Sequence, residues 1–419
     1  MNLPRVKINF ANGAIGAVTP MEDGSAALLA NLGAAGAMAN CPALGLPSLI
    51  TKLADLDSLG LTADEAATNP GLKNLRDTVA DFYAEAGSGA KLWILAVESG
   101  DNTPLDDNAC IIDPDDPDAD TAADLLLQAA SGTVRILAFL PYATPSMAQL
   151  RTTVQKLHAL ALRWTERHYA PILTLLQART VQVTIADLNN PSNALSNLLC
   201  NRVAVVAGGH ADAIGQEGRV GPVGLVLGRI AAIPVQRSIA RVKDGPIVTE
   251  PLKVGGYDPA TATENGTVQR LYDAGFIVPR SFVGKNGAYW SDDTLCTEAS
   301  DDYALIPRRR VIDKAYRIAY QTLVDELHDE IPVTDEGKIP ATVVQAIETA
   351  VESAIINQMT NFGNLATDPA DKSDNGVQCS IDPDQNIVAA SRLDVSLRVR
   401  PYGYAKYIDV DLGFQTLAQ

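Results

Sequence analysis

The sequence predicts an α/β fold, and three observations carry that expectation. Helical and strand patterns alternate between Gly71 and Val206. The strand candidates in that stretch are short apolar runs, as expected for strands covered on both faces. Past residue 265 the rhythm gives way to two amphipathic helices and a strongly alternating C-terminal stretch, which adds an α+β part to the molecule. With 419 residues, two to three units of about 150 residues each are the natural division.

Val6, Ile8 and Phe10 alternate with Arg5, Lys7 and Asn9, which reads as a strand ended by Gly13 and Gly16. No partner follows closely, because Ser25 to Asn40 is rich in small residues. Leu72, Leu75, Val79, Phe82 and Tyr83 recur at helical spacing from Gly71 to Ala86, and Lys91 to Val97 reads as a strand. An acidic, proline-bearing loop spans Gly100 to Asp120. A helix from Thr121 to Ala130, a strand from Val134 to Leu140 and a long helix from Ser146 to about His168 come next. Strands at Val181 to Ile185 and Val203 to Val206 close the series. The glycines from Gly208 to Gly228 read as a connector between packed units.

Leu271 to Val283 is apolar and strand-like, Asn286-Gly287 signals a turn, and Ala288 to Leu295 is the expected return strand. Ile312, Tyr316, Tyr320, Leu323 and Leu327 form the apolar stripe of one helix. Val343 or Val344, Ile347, Val351, Ile355 and Met359 form that of the next. At the C-terminus Leu393, Val395, Leu397 and Val399 alternate with polar residues, Pro401 to Tyr404 break the pattern, and Ile408, Val410, Leu412 and Phe414 resume it. The expected product is a two-stranded unit with one apolar face, which needs further strands to be stable. The orphan strand at Val6 to Phe10, from this chain or a neighbour, is the candidate.

Chemistry-bearing patterns are weak. Asp116, Asp118 and Asp120 sit at alternate positions, yet an EF-hand loop starting there would have Thr121 in place of its glycine and Leu127 in place of its glutamate. No G-x-G-x-x-G follows the Val203 strand and no G-x-x-x-x-G-K-[ST] occurs, so a phosphate cradle is not indicated. The four histidines, His158, His168, His210 and His328, form no H-x-x-x-H pair, and no G-x-S-x-G elbow exists. The carboxylate pairs Asp292-Asp293, Asp301-Asp302 and Asp325-Glu326 read as local charge clusters. No catalytic, cofactor-binding or metal-ligating residue is assigned, and no cofactor is expected.

Lys and Arg number 33 against 50 Asp and Glu, a net charge of −17, which argues against nucleic acid and against an anionic membrane as partners. Cys41, Cys110, Cys200, Cys296 and Cys379 are scattered singly and are expected to be reduced thiols in a cytosolic compartment. The first residues lack the apolar run of a signal peptide, and the Ala-rich stretch from Ala26 to Ala39 is too short and glycine-broken to span a bilayer. Arg308 to Arg310, Arg398 and Arg400 are candidate basic strips to offset acidic self-repulsion.

The order of segments resembles the tail sheath proteins of contractile bacteriophages and related contractile injection systems. Leu49 to Leu56 is similar to the family's early strand and short helix. Val79 to Gly87 followed by Ala90 to Leu95 resembles its helix ending in glycine before a strand. Leu271 to Arg280 and then Gly284 to Trp290 resemble a short helix, strand, glycine turn and aromatic strand. Ile306-Pro307-Arg308-Arg309-Arg310-Val311-Ile312 resembles the start of the core's long helix. The glycine-rich stretch from Val203 to Pro246 departs from the commoner pattern, which marks a divergent branch.

The resemblance implies a discontinuous α+β inner core carrying an inserted outer α/β lobe, with extended strand arms at both ends. The corresponding divisions are an N-terminal arm at 1–20, an outer domain at 21–264, an inner domain at 265–390 and a C-terminal strand pair at 391–419. It further implies a structural subunit, not an enzyme, that polymerises as stacked hexameric rings around an inner tube and contracts to drive the tube through an envelope. The implied partners are further copies of the chain, the inner tube protein, and baseplate and terminator proteins. Assembly would take place in the bacterial cytoplasm. Val6, Ile8, Phe10, Leu393, Val395, Leu397, Val399, Ile408, Val410 and Leu412 become expected intersubunit strand residues. Gln345, Glu348 and Glu352 on the second amphipathic helix become the expected tube-facing residues, acidic where many sheaths are basic. The rival readings are a cytosolic α/β enzyme, nucleotide-dependent or not, which leaves both terminal strands unexplained, and a capsid-like shell protein, which leaves the segment order unexplained.

Overall fold

The computed structural model describes residues 22–33, 36–98, 104–113, 116, 118–142, 145–178, 185–210, 222–248, 252–254 and 256–414. The chain divides into two compact units, residues 1–320 and 321–419. The change of character at residue 265 falls inside the first.

The first unit is built on seven strands: β1 (Ala26–Asn31), β2 (Ser48–Ile50), β3 (Leu92–Val97), β4 (Ile136–Leu140), β5 (Leu173–Gln177), β6 (Val203–Val206) and β9 (Phe276–Ile277). They lie in the order β2-β3-β1-β4-β5-β6-β9. All neighbours are parallel except β2, which runs antiparallel to β3. Between β6 and β9, two-residue strands β7 (Gly209–His210) and β8 (Leu252–Lys253) form a small antiparallel pair. After β9, β10 (Pro279–Arg280) pairs with β11 (Tyr289–Trp290) across Asn286-Gly287, but over two residues each: of the strand expected from Leu271 to Val283, Leu271 to Asp273 are helical.

Helices cover both faces. Short α1 (Asp55–Ser58) and α2 (Ala63–Ala66) lead into α3 (Pro70–Ala86), and α4 (Pro104–Ala109), α5 (Ala122–Ala129) and α6 (Met147–Arg167) follow. Then come α7 (Ile185–Asn189), α8 (Val223–Ala232), α9 (Pro259–Glu264), α10 (Thr267–Asp273) and α11 (Ile306–Leu323). Side chains alternate across β1. Leu28, in register with Ile94 and Ala138, joins the core under α3 and α8; Leu29, in register with Leu95 and Phe139, joins the core under α5 and α6.

β1 was not expected. Its sequence, Ala-Ala-Leu-Leu-Ala-Asn, has no β-branched residue, yet all six residues are buried at the sheet centre. Burial on both faces, not intrinsic propensity, makes it a strand. β5 was likewise not anticipated: the strand after α6 is Leu173–Gln177, while the expected strand at Val181 to Ile185 lies outside the described residues except for Ile185, which begins α7.

The glycine-rich connector is in part a helix. In α8, Gly224 and Gly228 lie one turn apart against α3, and a Cβ on either would come within 2.2 Å of the Thr78 carbonyl or 2.4 Å of the Phe82 carbonyl. Only glycine allows this approach. Beside it, Arg229 donates to Glu85 through Nε (3.0 Å) and Nη2 (3.2 Å) in a buried bidentate pair.

The second unit holds the end of α11, α12 (Ala341–Gln358), the antiparallel pair β12 (Val377–Ile381) and β13 (Val395–Val399), and the short α13 (Ile387–Ala390) between those strands. The α12 stripe is as expected: Val344, Ile347, Val351, Ile355 and Met359 are buried. The stripe expected of α11 is not. Its buried positions are Ile306, Pro307, Arg310, Val311, Asp313, Ala315 and Ile318, whereas Ile312 and Tyr316 are half-buried and Tyr320 is exposed. Three arginines in succession displaced the apparent period, because Arg310 points inward.

Candidate assembly surfaces

β12 and β13 pair from Val377↔Val399 to Ile381↔Val395. Arg400 N donates to Gly376 O (2.8 Å), which fixes the phase of the ladder. Alternation then turns the amides of Gln378 and Ser380 toward β13, and those of Val377, Cys379 and Ile381 outward. Two of the outward amides are capped from α12: Cys379 N donates to Glu352 Oε1 and Ile381 N to Glu348 Oε1, each at 2.7 Å. Glu348 and Glu352 thus tie the helix to the strand edge, whereas Gln345 is exposed. The capping role was not foreseen; an i, i+4 glutamate pair flanking an apolar stripe was the available signal.

Beyond β13 the expected second strand is not formed. Residues 401–414 make no strand, and β13 pairs instead with β12. The apolar residues of that stretch stand in solvent: Ile408 is 78 % exposed, Val410 75 %, Leu412 96 % and Phe414 103 %. Their alternation is real, but nothing in the chain covers it among the described residues. The root of the segment is fixed. Arg400 O accepts from Ala366 N (3.0 Å), and its guanidinium pairs with Asp374. Asp374 is held below the ordinary carboxylate range by bonds from the amides of Asp368 and Gly376 and by Arg400.

Val6, Ile8 and Phe10 lie outside the described residues. The first described residues are anchored to α11. Asp23 accepts from Lys314 Nζ and Arg317 Nη2, both at 2.6 Å, and buried Arg310 donates to the carbonyls of Asp23, Ile233 and Pro234. Burial of Asp23 opposes its ionisation, but the bond to Lys314 and the charges of Lys314, Arg317 and Arg310 outweigh it and hold the carboxyl below its ordinary value. Arg309 is also engaged, with Asp313 at 2.6 Å, and Asp313 binds Arg202 at 3.0 Å. Arg309 and Arg310 are therefore internal anchors, not the basic surface strip expected at 308–310.

A parallel α/β sheet binds ligands where its strand order reverses, here beside β1 between β3 and β4. At the carboxyl ends of β1 and β4 that place is filled by buried Asp107 of α4, which accepts from Asn31 Nδ2 (2.7 Å) and Tyr142 N (2.9 Å). A carboxylate there has the wrong charge for a phosphate. Among the described residues no cluster of His, Cys, Asp or Glu could hold a metal ion, and no helix is long and apolar enough to cross a membrane. All five cysteines are free thiols.

The whole chain shares its fold with proteins of contractile injection systems. It matches a chain of the PVC sheath complex of an extracellular contractile injection system in its contracted state, with a TM-score of 0.61 and 13 % identity over 99 % of this chain and 98 % of that one. It matches a chain of the six-fold symmetrised anti-feeding prophage baseplate (0.58, 14 %, 99 % and 100 %) and one of that baseplate in its contracted state (0.59, 16 %, 100 % of both). The fold is thus the one these chains of contractile injection systems share. By sequence the chain belongs to the DUF2586 family, matching its N-terminal domain over residues 3–294 and its C-terminal domain over 302–418. No curated protein matches it by sequence.

Proposed function

We propose that the chain is the structural subunit of a contractile sheath, not an enzyme: it stacks as hexameric rings around an inner tube and contracts to drive that tube through an envelope. The observation that carries this reading is the fold likeness over the full length to a chain of a contracted sheath complex. The exposed alternating segment at 408–414 supports it, since an uncovered apolar strand pattern calls for a sheet in another molecule. Such contacts are heterologous and do not close along an axis, so a tube is their natural product.

In this reading the first unit up to about residue 264 is the outer lobe, and residues 265–390 are the inner core. Val6 to Phe10 and Leu393 to Leu412 supply the intersubunit strands. The polar side of α12, with Gln345 exposed and Glu348 and Glu352 beside it, faces the tube. The partners are other copies, the tube, the baseplate and a terminator, with assembly in the bacterial cytoplasm as part of a phage tail or injection device. Negative-stain microscopy tests it. Full-length protein should form striated tubes, and a chain lacking residues 1–12 should remain soluble without forming them. Dispersed particles or closed shells from the full chain, or normal tubes from the shortened one, would overturn the reading.

A further inference from the structure

Two of the five free thiols lie opposite one another. Cys200, at the turn into β6, and Cys296, between β11 and α11, form an isolated antiparallel bridge in which Cys200 N donates to Cys296 O at 2.7 Å. Cys296 N donates to Val203 O at 2.8 Å, so the backbone holds the pair in register. Hydrogen-bonded partners of an antiparallel pair have Cα atoms about 5.5 Å apart, inside the roughly 4.4–6.8 Å that a disulfide spans. Residues directly opposite also place their side chains on one face. Both thiols belong to the core under α5 and α6, with Leu195, Val203 and Phe276. Burial, and after it the neighbouring Cys200 thiol, push the Cys296 thiol up. The other cysteines have no such partner: Cys379 faces Leu397 in its ladder, and Cys41 and Cys110 lie in no strand.

The way in to the pair is through Leu199. This residue is exposed and has a left-handed backbone (φ +55°), a strained conformation for a leucine. It stands between Cys200 and Leu198, whose carbonyl accepts the Cys200 thiol at 3.3 Å. Relaxing that residue carries Cys200 toward solvent. Arg151 of α6, fixed by its bond to Ala194 O, sets a positive charge near both sulfurs and favours their thiolates against burial.

We propose that Cys200 and Cys296 form an oxidation site that closes to a disulfide when the folded chain meets a small disulfide oxidant such as oxidised glutathione. The Cys200 thiolate attacks one sulfur of the oxidant, releases one glutathione thiolate and holds the other glutathione as a mixed disulfide. The Cys296 thiolate then attacks the Cys200 sulfur and releases the second glutathione. Two electrons and two protons leave the protein thiols, and the oxidant takes them up as two thiols. The bond ties the entry of β6 to the stretch that leads into α11, where Thr294 bridges Leu305 and Ile306 N donates to Asp293 O at 2.9 Å. A reducing cytoplasm keeps the pair open, and an oxidising medium closes it. Closure is slow, because burial pushes the Cys200 thiol up to about 11.

The test incubates the native full chain with oxidised glutathione at pH 8, well below its melting temperature, and follows free thiols after denaturation and quenching. Two of the five thiols should be lost, and peptide mapping should find Cys200 joined to Cys296. Because the bond closes a long loop of the unfolded chain, the melting temperature should rise by about 5 °C, and dithiothreitol should reverse the rise. Cys200→Ala and Cys296→Ala chains should form no internal disulfide and show no rise. An unchanged thiol count, a lasting glutathione adduct on Cys200, or a bond to any other cysteine would overturn the site. A Cys200–Cys296 bond that leaves melting unchanged would overturn its role as a tie between β6 and the approach to α11.

Discussion

Asp23 and Arg317 meet at 2.6 Å although they lie 294 residues apart, and with Lys314 they join the start of β1 to α11. Folding brings the two ends of the first unit together there. The carboxylate is largely buried between two cations, so its removal takes a negative charge from beside both.

Asp23→Asn should cost about 2 kcal/mol at pH 7, read by urea denaturation. The carboxyl's folded pKa lies below its ordinary 3.8, so its contribution is fully present above that pH and is lost as pH falls through the folded value. The difference between parent and variant should therefore shrink only below about pH 3.8. A gap of unchanged size at every pH below 3.8 down to acid unfolding would mean the ion pair is not its source.

His158 titrates in a different window. Burial in α6 and the nearby cations Arg202 and Arg309 push it down to about 4, and its Nδ1 has no hydrogen-bond partner. The unfolded chain binds the proton more readily, so the stability from a neutral His158 is present above about pH 6.5 and is lost as pH falls toward 4. Allowing for its partial exposure, the loss should be about 1–2 kcal/mol, and His158→Gln should flatten the stability profile between pH 6.5 and 4.

Gly228→Ala inverts a common rule. In an open helix the change would stabilise by up to about 1 kcal/mol. Here the added methyl meets the Phe82 carbonyl at 2.4 Å, so α3 and α8 must separate. A net loss of about 1–3 kcal/mol by thermal or urea unfolding is expected, and an unchanged or raised melting temperature would contradict the packing.

Val410→Asp and Leu412→Asp should leave the melting temperature of the subunit unchanged, because both side chains are almost wholly in solvent. Tube formation should be lost. Comparison of sedimentation and melting on the same samples separates the two effects.

Gln345→Lys tests the proposal that the polar side of α12 faces an inner tube, without touching the bonds that Glu348 and Glu352 make to β12. Association with the inner tube should weaken while empty tubes still form, as read by co-sedimentation.

Much of the first unit was legible because its helices are amphipathic. α3, α5, α6, β3, β4 and β6 lie within a few residues of where apolar spacing put them. The misses share a cause. β1 is a strand because of what surrounds it, and α8 is a helix whose glycines serve contact with α3, so neither has a pattern of its own. α11 was given the wrong buried face because Arg310 and Asp313 satisfy their charges internally, which residue type alone does not reveal. At the C-terminus the alternation of 408–414 was visible, but periodicity cannot name a partner, and β13 takes β12 instead. The capping bonds of Glu348 and Glu352 span 33 and 27 residues, beyond the reach of any local signal.

The position of β1 also bears on mechanics. Parallel β3 and β4 flank it along its length, so a pull on the preceding residues directed along the strand strains both rows of hydrogen bonds together in shear. It does not peel them off singly. Tension entering at residue 22 is thus spread over the widest part of the sheet, with α11 sharing it through Asp23. Two flanking rows of parallel hydrogen bonds therefore resist such a pull as one unit.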